Sequence, residues 1–339
     1  MDLKTVWPLL NYNFSSENEL IKAISLIGHN FTKSREDIGD YIKDDKMVAA
    51  YTCFYLLTNI PKLKEAFRKT EINFSNYSPE DWEFIDIGAG PGTFSLALLE
   101  MNSKTKIKAI EQSDKMISQG QKLINGIYPD ADCEYFSSFK GLPSKVKKRF
   151  GIFGHSANEM DPNLVAQMID SLELDQVLFI EPGTKDFFGK SLIIRKKLLK
   201  TFTLNYPCMH SASCPLAEGD WCHQYIKVQH EADVERITQL AQRDRRNLPI
   251  ILNLYTKGEI VQDQTDSRIV RVYRPTKFSS EWQVCNKLEN ENVIQDLQIM
   301  HRGYSKKEIK VLSQILAGEK IKFSMVKDLG DNKVRGKLL

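Results

Sequence analysis

No apolar run in this chain approaches the ~18 consecutive residues that a membrane-spanning helix needs, which argues against an integral membrane protein. The start, Met1-Asp2-Leu3-Lys4, lacks the charged-then-apolar pattern of a signal peptide. It also lacks the Arg- and Ser-rich, acid-poor character of a transit peptide. The expected setting is therefore a bacterial cytoplasm, with the mitochondrial matrix as the alternative. Charge is nearly balanced, 47 Lys and Arg against 44 Asp and Glu, and the net +3 is too small to mark a nucleic-acid binder by itself. Cysteine is sparse. Six in a chain with no secretion signal argue against a disulfide framework. There is no internal repeat and no low-complexity tract.

What is present is a change of pattern along the chain. Residues 15–76 read as helical: Ser15 and Ser16 stand ready to cap a segment with Leu20, Ile21, Ile24 and Ile27 on one face. A second run from about Asp37 to Ile60 is expected to stop at Pro61, with a short helix behind it ending near Lys69. From Trp82 strands and helices alternate. Strands are expected at Trp82–Ile87, Lys106–Glu111, Cys133–Phe136, Phe150–Gly154 and Val177–Ile180, with a Ser113-capped helix after the second. Such alternation implies an α/β fold with a mostly parallel sheet. Beyond Asn247, strand-like runs at Ile250–Tyr255, Arg268–Tyr273, Trp282–Cys285 and Val293–Met300 suggest a small β-rich module ending in a Lys-rich tail. The resulting division is 1–78 helical, 79–200 nucleotide-binding, 201–246 cysteine-rich and 247–339 β-rich with a basic tail.

The most informative stretch is Phe84-Ile85-Asp86-Ile87-Gly88-Ala89-Gly90-Pro91-Gly92-Thr93. Glycines belong where a strand turns sharply into a helix and the backbone must meet a ligand, and the helix start then offers N–H groups. Glu111 closes the next strand, 19 residues after Gly92, where a carboxylate can accept both ribose hydroxyls. Dinucleotide sites use G-x-G-x-x-G. Here the glycines fall at 88, 90 and 92 behind the acidic Asp86, a form that resembles motif I of class I methyltransferases. By that resemblance Asp86, Gly88, Gly90 and Gly92 line the methionine end of S-adenosylmethionine and Glu111 holds its ribose, with Ala89 a further candidate cofactor residue. A nicotinamide enzyme and a ligand-free turn are the competing readings. Two polar stretches, His155-Ser156-Ala157-Asn158-Glu159-Met160 and Glu181-Pro182-Gly183-Thr184, follow the fourth and fifth strands. Ligands bind at such strand ends in open α/β sheets, and Asn158 joins the candidate cofactor residues. Helix capping and turn formation explain the same residues equally well.

Catalytic groups are harder to find. The Asp/Asn-Pro-Pro-aromatic loop common in methylation of base amino groups is missing after the fourth strand, and no cysteine nucleophile stands there for carbon methylation of a pyrimidine. No catalytic residue is assigned.

Cys53 and Cys133 sit in apolar or strand-like surroundings and read as buried thiols. Cys208, Cys214, Cys222 and Cys285 do not. Four thiolates are the number that zinc or an iron–sulfur cluster needs. The C-x5-C-x7-C spacing is looser than a zinc knuckle, and His210 and His223 leave Cys/His zinc open, so spacing leaves zinc and cluster level. If Cys285 joins the other three, the metal ties the α/β part to the β-rich module. Basic runs at Lys145–Arg149, Arg195–Lys197 and Arg243–Arg246, with the tail after Lys320, are candidates for phosphate contacts or plain solvated faces.

Taken together, Asp86–Thr93, His155–Met160, Glu181–Thr184 and Pro207–His223 resemble the methyltransferase-like proteins of the mitochondrial small ribosomal subunit and their bacterial relatives. Ala49-Ala50-Tyr51 and the stretch from Arg271 to Cys285 fit as well. The resemblance spans about residues 35–325. It implies a Rossmann-like class I methyltransferase fold, S-adenosylmethionine binding, and a 4Fe–4S cluster on Cys208, Cys214, Cys222 and Cys285 rather than zinc. It further implies a role in small-subunit assembly or translation on ribosomal RNA, with or without methyl transfer. The alternative is a zinc-stabilised RNA methyltransferase not tied to ribosome assembly. A monomer that engages no membrane is expected.

Overall fold

The computed structural model describes residues 1–33, 44–143, 145, 147–208, 213–216, 219–258, 267–288 and 291–339. Its contacts divide the chain into two units: Met1–Ile180 with Ile226–Leu248, and Glu181–Tyr225 with Pro249–Leu339. Among the described residues no helix is long and apolar enough to cross a membrane.

The first unit is built on strands β1 (Trp82–Ile87), β2 (Ile107–Ile110), β3 (Cys133–Phe136), β4 (Lys148–Gly154) and β5 (Gln176–Pro182). They pair in parallel in the order β3-β2-β1-β4-β5, which places the chain reversal between β1 and β4. This is a Rossmann-like α/β arrangement. In β1 every residue after Trp82 is buried, because a parallel sheet has both faces covered by helices. Its centre is aromatic: Phe84 and Phe150, opposite each other in register, stack at 5.2 Å, with Tyr77 and Phe67 against Phe150.

One charged pair interrupts this core. Arg149 donates through Nε to Glu83 Oε1 at 2.6 Å, and its other nitrogens reach the carbonyls of Leu172 (3.0 Å) and Pro143 (2.8 Å). Every guanidinium nitrogen is thereby satisfied, which is the condition for an ion pair to persist out of water.

The helical lead-in begins as the sequence suggests. Ser16 Oγ accepts from Glu19 N at 3.3 Å, and Glu19 Oε2 accepts from Ser15 N at 2.8 Å. The helix runs Glu17–Lys33; the expected helix start near Asp37 lies outside the described residues. Pro61 does not end a helix. Helical winding continues from Asp45–Tyr51 through a π-helical stretch, Thr52–Leu56, into Leu57–Lys69 with Pro61 inside. Pro61 stands in the second turn of this α-helix, where its missing donor leaves the Leu57 carbonyl without the usual helix bond.

The second unit contains β6 (Phe202–Tyr206); β7 (Gln224–Lys227) and β8 (Asn247–Lys257) straddle the division. A six-stranded sheet follows: β9 (Ser267–Val272), β10 (Ser279–Leu288), β11 (Glu291–Met300), β12 (Lys320–Ile321), β13 (Phe323–Gly330) and β14 (Lys333–Leu338), ordered β12-β9-β10-β11-β14-β13. Trp282, Val284, Leu297, Ile299 and Val334 form its buried face. The expected basic tail is thus a hairpin. Val334 of β14 lies beside Leu297 of β11 in a parallel pairing, a long-range partner that Lys-rich local sequence does not announce.

Candidate functional site

Two places gather polar groups, one in each unit. In the first, the chain leaves β1 through a turn in which Gly88, Gly90 and Gly92 all have positive φ (70°, 55° and 85°). At Gly88 a Cβ would run into Ser156, whose hydroxyl donates to Ile87 O at 2.6 Å across the ends of β1 and β4. At Gly90 a Cβ would meet nothing within 4 Å. The turn therefore opens its backbone onto free space, and Gly92 then caps the helix Thr93–Met101.

Glu111 is the clasp of this turn. Its Oε2 accepts from Gly90 N at 2.9 Å while Oε1 accepts from Gln112 N and Ser113 N, both at 2.8 Å. Tyr135 donates to Gly90 O at 3.3 Å from the neighbouring strand. Asp86 lies deeper, 1% exposed, with Oδ2 accepting from Ser95 N (2.9 Å) and Ser95 Oγ (2.8 Å). Burial pushes its carboxyl up to about 6 against those two hydrogen bonds, with the Glu111 charge adding to the rise. Asn158 is half-buried in the single turn Ala157–Glu159. His155, at φ 60°, sits 2.9 Å through Nε2 from Nζ of the buried Lys62. Burial and then the Lys62 and Arg245 charges hold His155 well below the usual histidine range, so it is neutral and accepts from the ammonium.

The second place is a pocket that Cys208, Cys214, Cys222 and Cys285 all line together with Arg195 and Arg268. The folding of this unit explains the convergence. Cys208 follows β6, Cys222 precedes β7, and Cys285 of β10 lies opposite Arg268 of β9 in register. Arg268 is tied down through Pro207 O (2.7 Å) and Gly318 O (2.9 Å) and lies over the Tyr206 ring. Gln224 donates to Cys222 Sγ at 3.4 Å, and Asn292 donates to Ser213 O at 2.8 Å, beside Cys214.

Burial raises the thiols of Cys208, Cys222 and Cys285, the last to about 12, and the neighbouring thiols raise each of them further, against the Arg268 charge. Arg195 acts against the rise at Cys208 and Cys285. All six cysteines are free. Among the described residues no three His, Cys, Asp or Glu side chains stand close enough to hold one metal ion. His223 is not among the lining groups; its ring lies between Trp221 and Tyr225, and His210 is outside the described residues.

The model of a protein family, the mitochondrial small ribosomal subunit protein Rsm22, matches residues 45–328. The chain belongs to this family. The resemblance read from Asp86–Thr93 and Pro207–His223 therefore holds. No curated protein matches the sequence. Among solved structures, magnesium protoporphyrin IX methyltransferase (ChlM) from Synechocystis PCC 6803 with bound SAM is similar at 13% identity and TM-score 0.40, over 70% of this chain and 97% of that one. The 16S rRNA methylase RmtB is similar at 12% and 0.37, over 74% and 78%. The ribosomal protein L11 methylase from Lactobacillus delbrueckii subsp. bulgaricus gives 12% and 0.33, over 58% and 78%. The fold assignment rests on the chain's own strand order and glycine turn.

Several cations of the basic runs seen in the sequence are engaged within the fold, while Lys148, Lys196 and Lys197 stay exposed. Lys145 pairs with Asp175 at 2.6 Å, Lys147 reaches the Pro79 carbonyl, and Arg149 is buried on Glu83. Arg195 lines the cysteine pocket, Arg245 binds Asn59 (3.1 Å) under the Tyr55 ring, and Arg246 pairs with Asp244. Sequence reasoning missed Lys62, Tyr135 and Arg268. Each acts through a contact across 45 or more positions of chain, and no local spacing signals it.

Proposed function

We propose that this Rsm22-family chain is an S-adenosylmethionine-binding factor of the small ribosomal subunit that carries a 4Fe–4S cluster and acts in assembly of that subunit on its ribosomal RNA. The observation that carries the cofactor reading is the Gly88–Gly92 turn, opened at Gly90 and clasped by Glu111. In this reading Gly88, Ala89, Gly90, Gly92 and Asn158 line the methionine end with the buried Asp86 beneath them, and Glu111 uses its one remaining lone pair, on Oε2, for a ribose hydroxyl. The bound cofactor supplies an activated methyl group. The chain's own part is to hold it: Glu111 and Tyr135 fix Gly90 on both sides, and Asp86 anchors the helix start through Ser95. The small-subunit partner comes from the family.

The cluster reading rests on chemistry of the donor set: four thiols line one pocket with two arginines, whose charge offsets that of a thiolate-bound cluster. Cys208, Cys214, Cys222 and Cys285 would be its ligands, and all four belong to the second unit, so the metal would stabilise that unit's own junctions.

Methyl transfer is a second, narrower reading, kept for the rRNA methylases among the similar structures. A methyl-transfer assay on small subunits from a deletion strain separates it, since a labelled nucleotide would add turnover to the assembly role. Two measurements test the main proposal. Calorimetric titration with S-adenosylmethionine should show binding that Gly90→Val abolishes; no binding by the unaltered chain would refute the cofactor site. Anaerobic purification with iron, sulfide and zinc quantified should return about four iron and four sulfide per chain, lost in Cys208→Ser. One zinc without sulfide would replace the cluster by a structural staple.

A further inference from the structure

The turn joining β9 to β10 is Tyr273-Arg274-Pro275-Thr276-Lys277-Phe278, and its backbone is heavily tied. Thr276 Oγ accepts from Phe278 N (3.1 Å) and Ser279 N (2.9 Å), and Thr276 N donates to Ser279 O (2.9 Å). From the end of β11, His301 N donates to Phe278 O at 2.7 Å. The His301 ring is fixed on both sides, Nδ1 against Lys277 O (3.2 Å) and Nε2 against Ser280 Oγ (2.9 Å). On this rigid base the Phe278 ring is 67% exposed.

An aromatic ring held out in water by an ordered turn forgoes the burial that a phenylalanine ordinarily gains. Its surroundings are cationic. Lys277 Nζ lies 5.9 Å from the ring centroid, and Arg274 and Arg302 are exposed on the turn and beside its His301 strut. No acidic residue occurs in 273–280 or 301–307. Glu281, just behind, has its carboxylate occupied by Gln298 (2.8 Å) and Lys333 (3.2 Å). The chain from Arg302 to Leu339 carries ten Lys and Arg against four Asp and Glu, a net +6, so the rest of the molecule is net −3.

We infer that the Phe278 turn is a contact for single-stranded RNA, with the ring stacking on a base and Arg274, Lys277 and Arg302 meeting the flanking phosphates. A π face bordered by cations suits a strand of stacked bases and phosphates, because every base offers a face whatever its sequence. A single ring offers too little apolar area to anchor the protein on a bilayer by itself. The inference rests on the RNA partner proposed above and adds an aromatic face to the exposed cations of the chain.

The test uses the full chain and two probes, a short unstructured oligouridine and small-subunit ribosomal RNA, followed by fluorescence anisotropy over a range of salt. Phe278→Ala should weaken oligouridine binding about ten-fold, as loss of one base stack does. Phe278→Trp should keep the affinity and add a fluorescence signal quenched by RNA. The Lys277→Ala/Arg302→Ala pair should flatten the salt dependence by about 0.7 in log–log slope for each phosphate no longer neutralised. Equal affinity of Phe278→Ala and the unaltered chain would overturn the inference and leave the RNA partner standing. So would binding of ribosomal RNA without any binding of oligouridine. Failure to bind either RNA would remove the partner itself. Phe278-dependent capture by anionic vesicles, with oligouridine binding unchanged by Phe278→Ala, would make the turn a membrane contact and refute the RNA contact.

Discussion

Replacing Asp86 with Asn should make the first unit more stable above about pH 6. Asp86 is almost completely buried, and both Ser95 donors point at its Oδ2. Asparagine keeps the shape and an oxygen for those donors but carries no charge. A carboxyl raised from 3.8 to about 6 loses about 3 kcal/mol of folding free energy when it ionises in the native state. The sign follows from proton binding. Between the unfolded and folded values the native chain holds the extra proton, so stability is full below about pH 4 and falls as the pH rises through about 6. Urea unfolding of the full chain and of Asp86→Asn, read by protection of β1 amides from hydrogen exchange, should show curves that coincide near pH 4 and separate by about 3 kcal/mol near pH 8. If S-adenosylmethionine binds as proposed, its cationic groups near the turn should favour the ionised carboxylate and narrow that gap. Parallel curves, or an asparagine variant less stable at high pH, would refute the account of Asp86 as a carboxylate that the fold tolerates at a cost.

Other consequences are equally direct. Arg149→Met leaves Glu83 buried without its partner and should cost about 3–5 kcal/mol in chemical denaturation. Adding Glu83→Leu should recover most of that loss; no recovery would place the effect in packing rather than charge. Gly88→Ala puts a Cβ into Ser156 at a positive φ, so it should lower thermal stability and S-adenosylmethionine affinity together, whereas Ser156→Gly added to it should restore part of the stability. In the second unit, Ser305→Ala removes a capping box with Glu308 and should cost about 1 kcal/mol without altering metal content. A change in iron or zinc would show that this helix supports the cysteine pocket.

The alternating strands of the first unit were legible because each carries its own signal. Trp82–Ile87 and Cys133–Phe136 are apolar or β-branched runs bounded by turn residues, and they form at those limits. Ser113 caps the helix Asp114–Ile127, a local interaction written in four residues. The glycine turn was legible for the same reason: positive φ is a demand made by one residue on itself. Local reading failed at Pro61, which lies inside the helix Leu57–Lys69 rather than ending one, because packing of the buried residues around it outweighs the lost bond. It failed again after Lys320, where β14 forms on β11 rather than on any strength of its own.

The sequence alone therefore determined the kinds of chemistry available: a glycine turn with an acid behind it, four unpaired thiols, and scattered cations. Only tertiary structure decided which of these meet. Glu111 closes on Gly90 from 21 positions away, and Cys285 reaches the pocket of Cys208 through the β9–β10 register. The same packing turned Lys145, Arg149 and Arg245 inward while leaving Phe278 and its lysine in water. Residue type and short spacing are set by covalent neighbours, whereas burial, pairing and exposure are set by whichever distant surface packs most favourably, and that competition is settled only when the whole chain has folded.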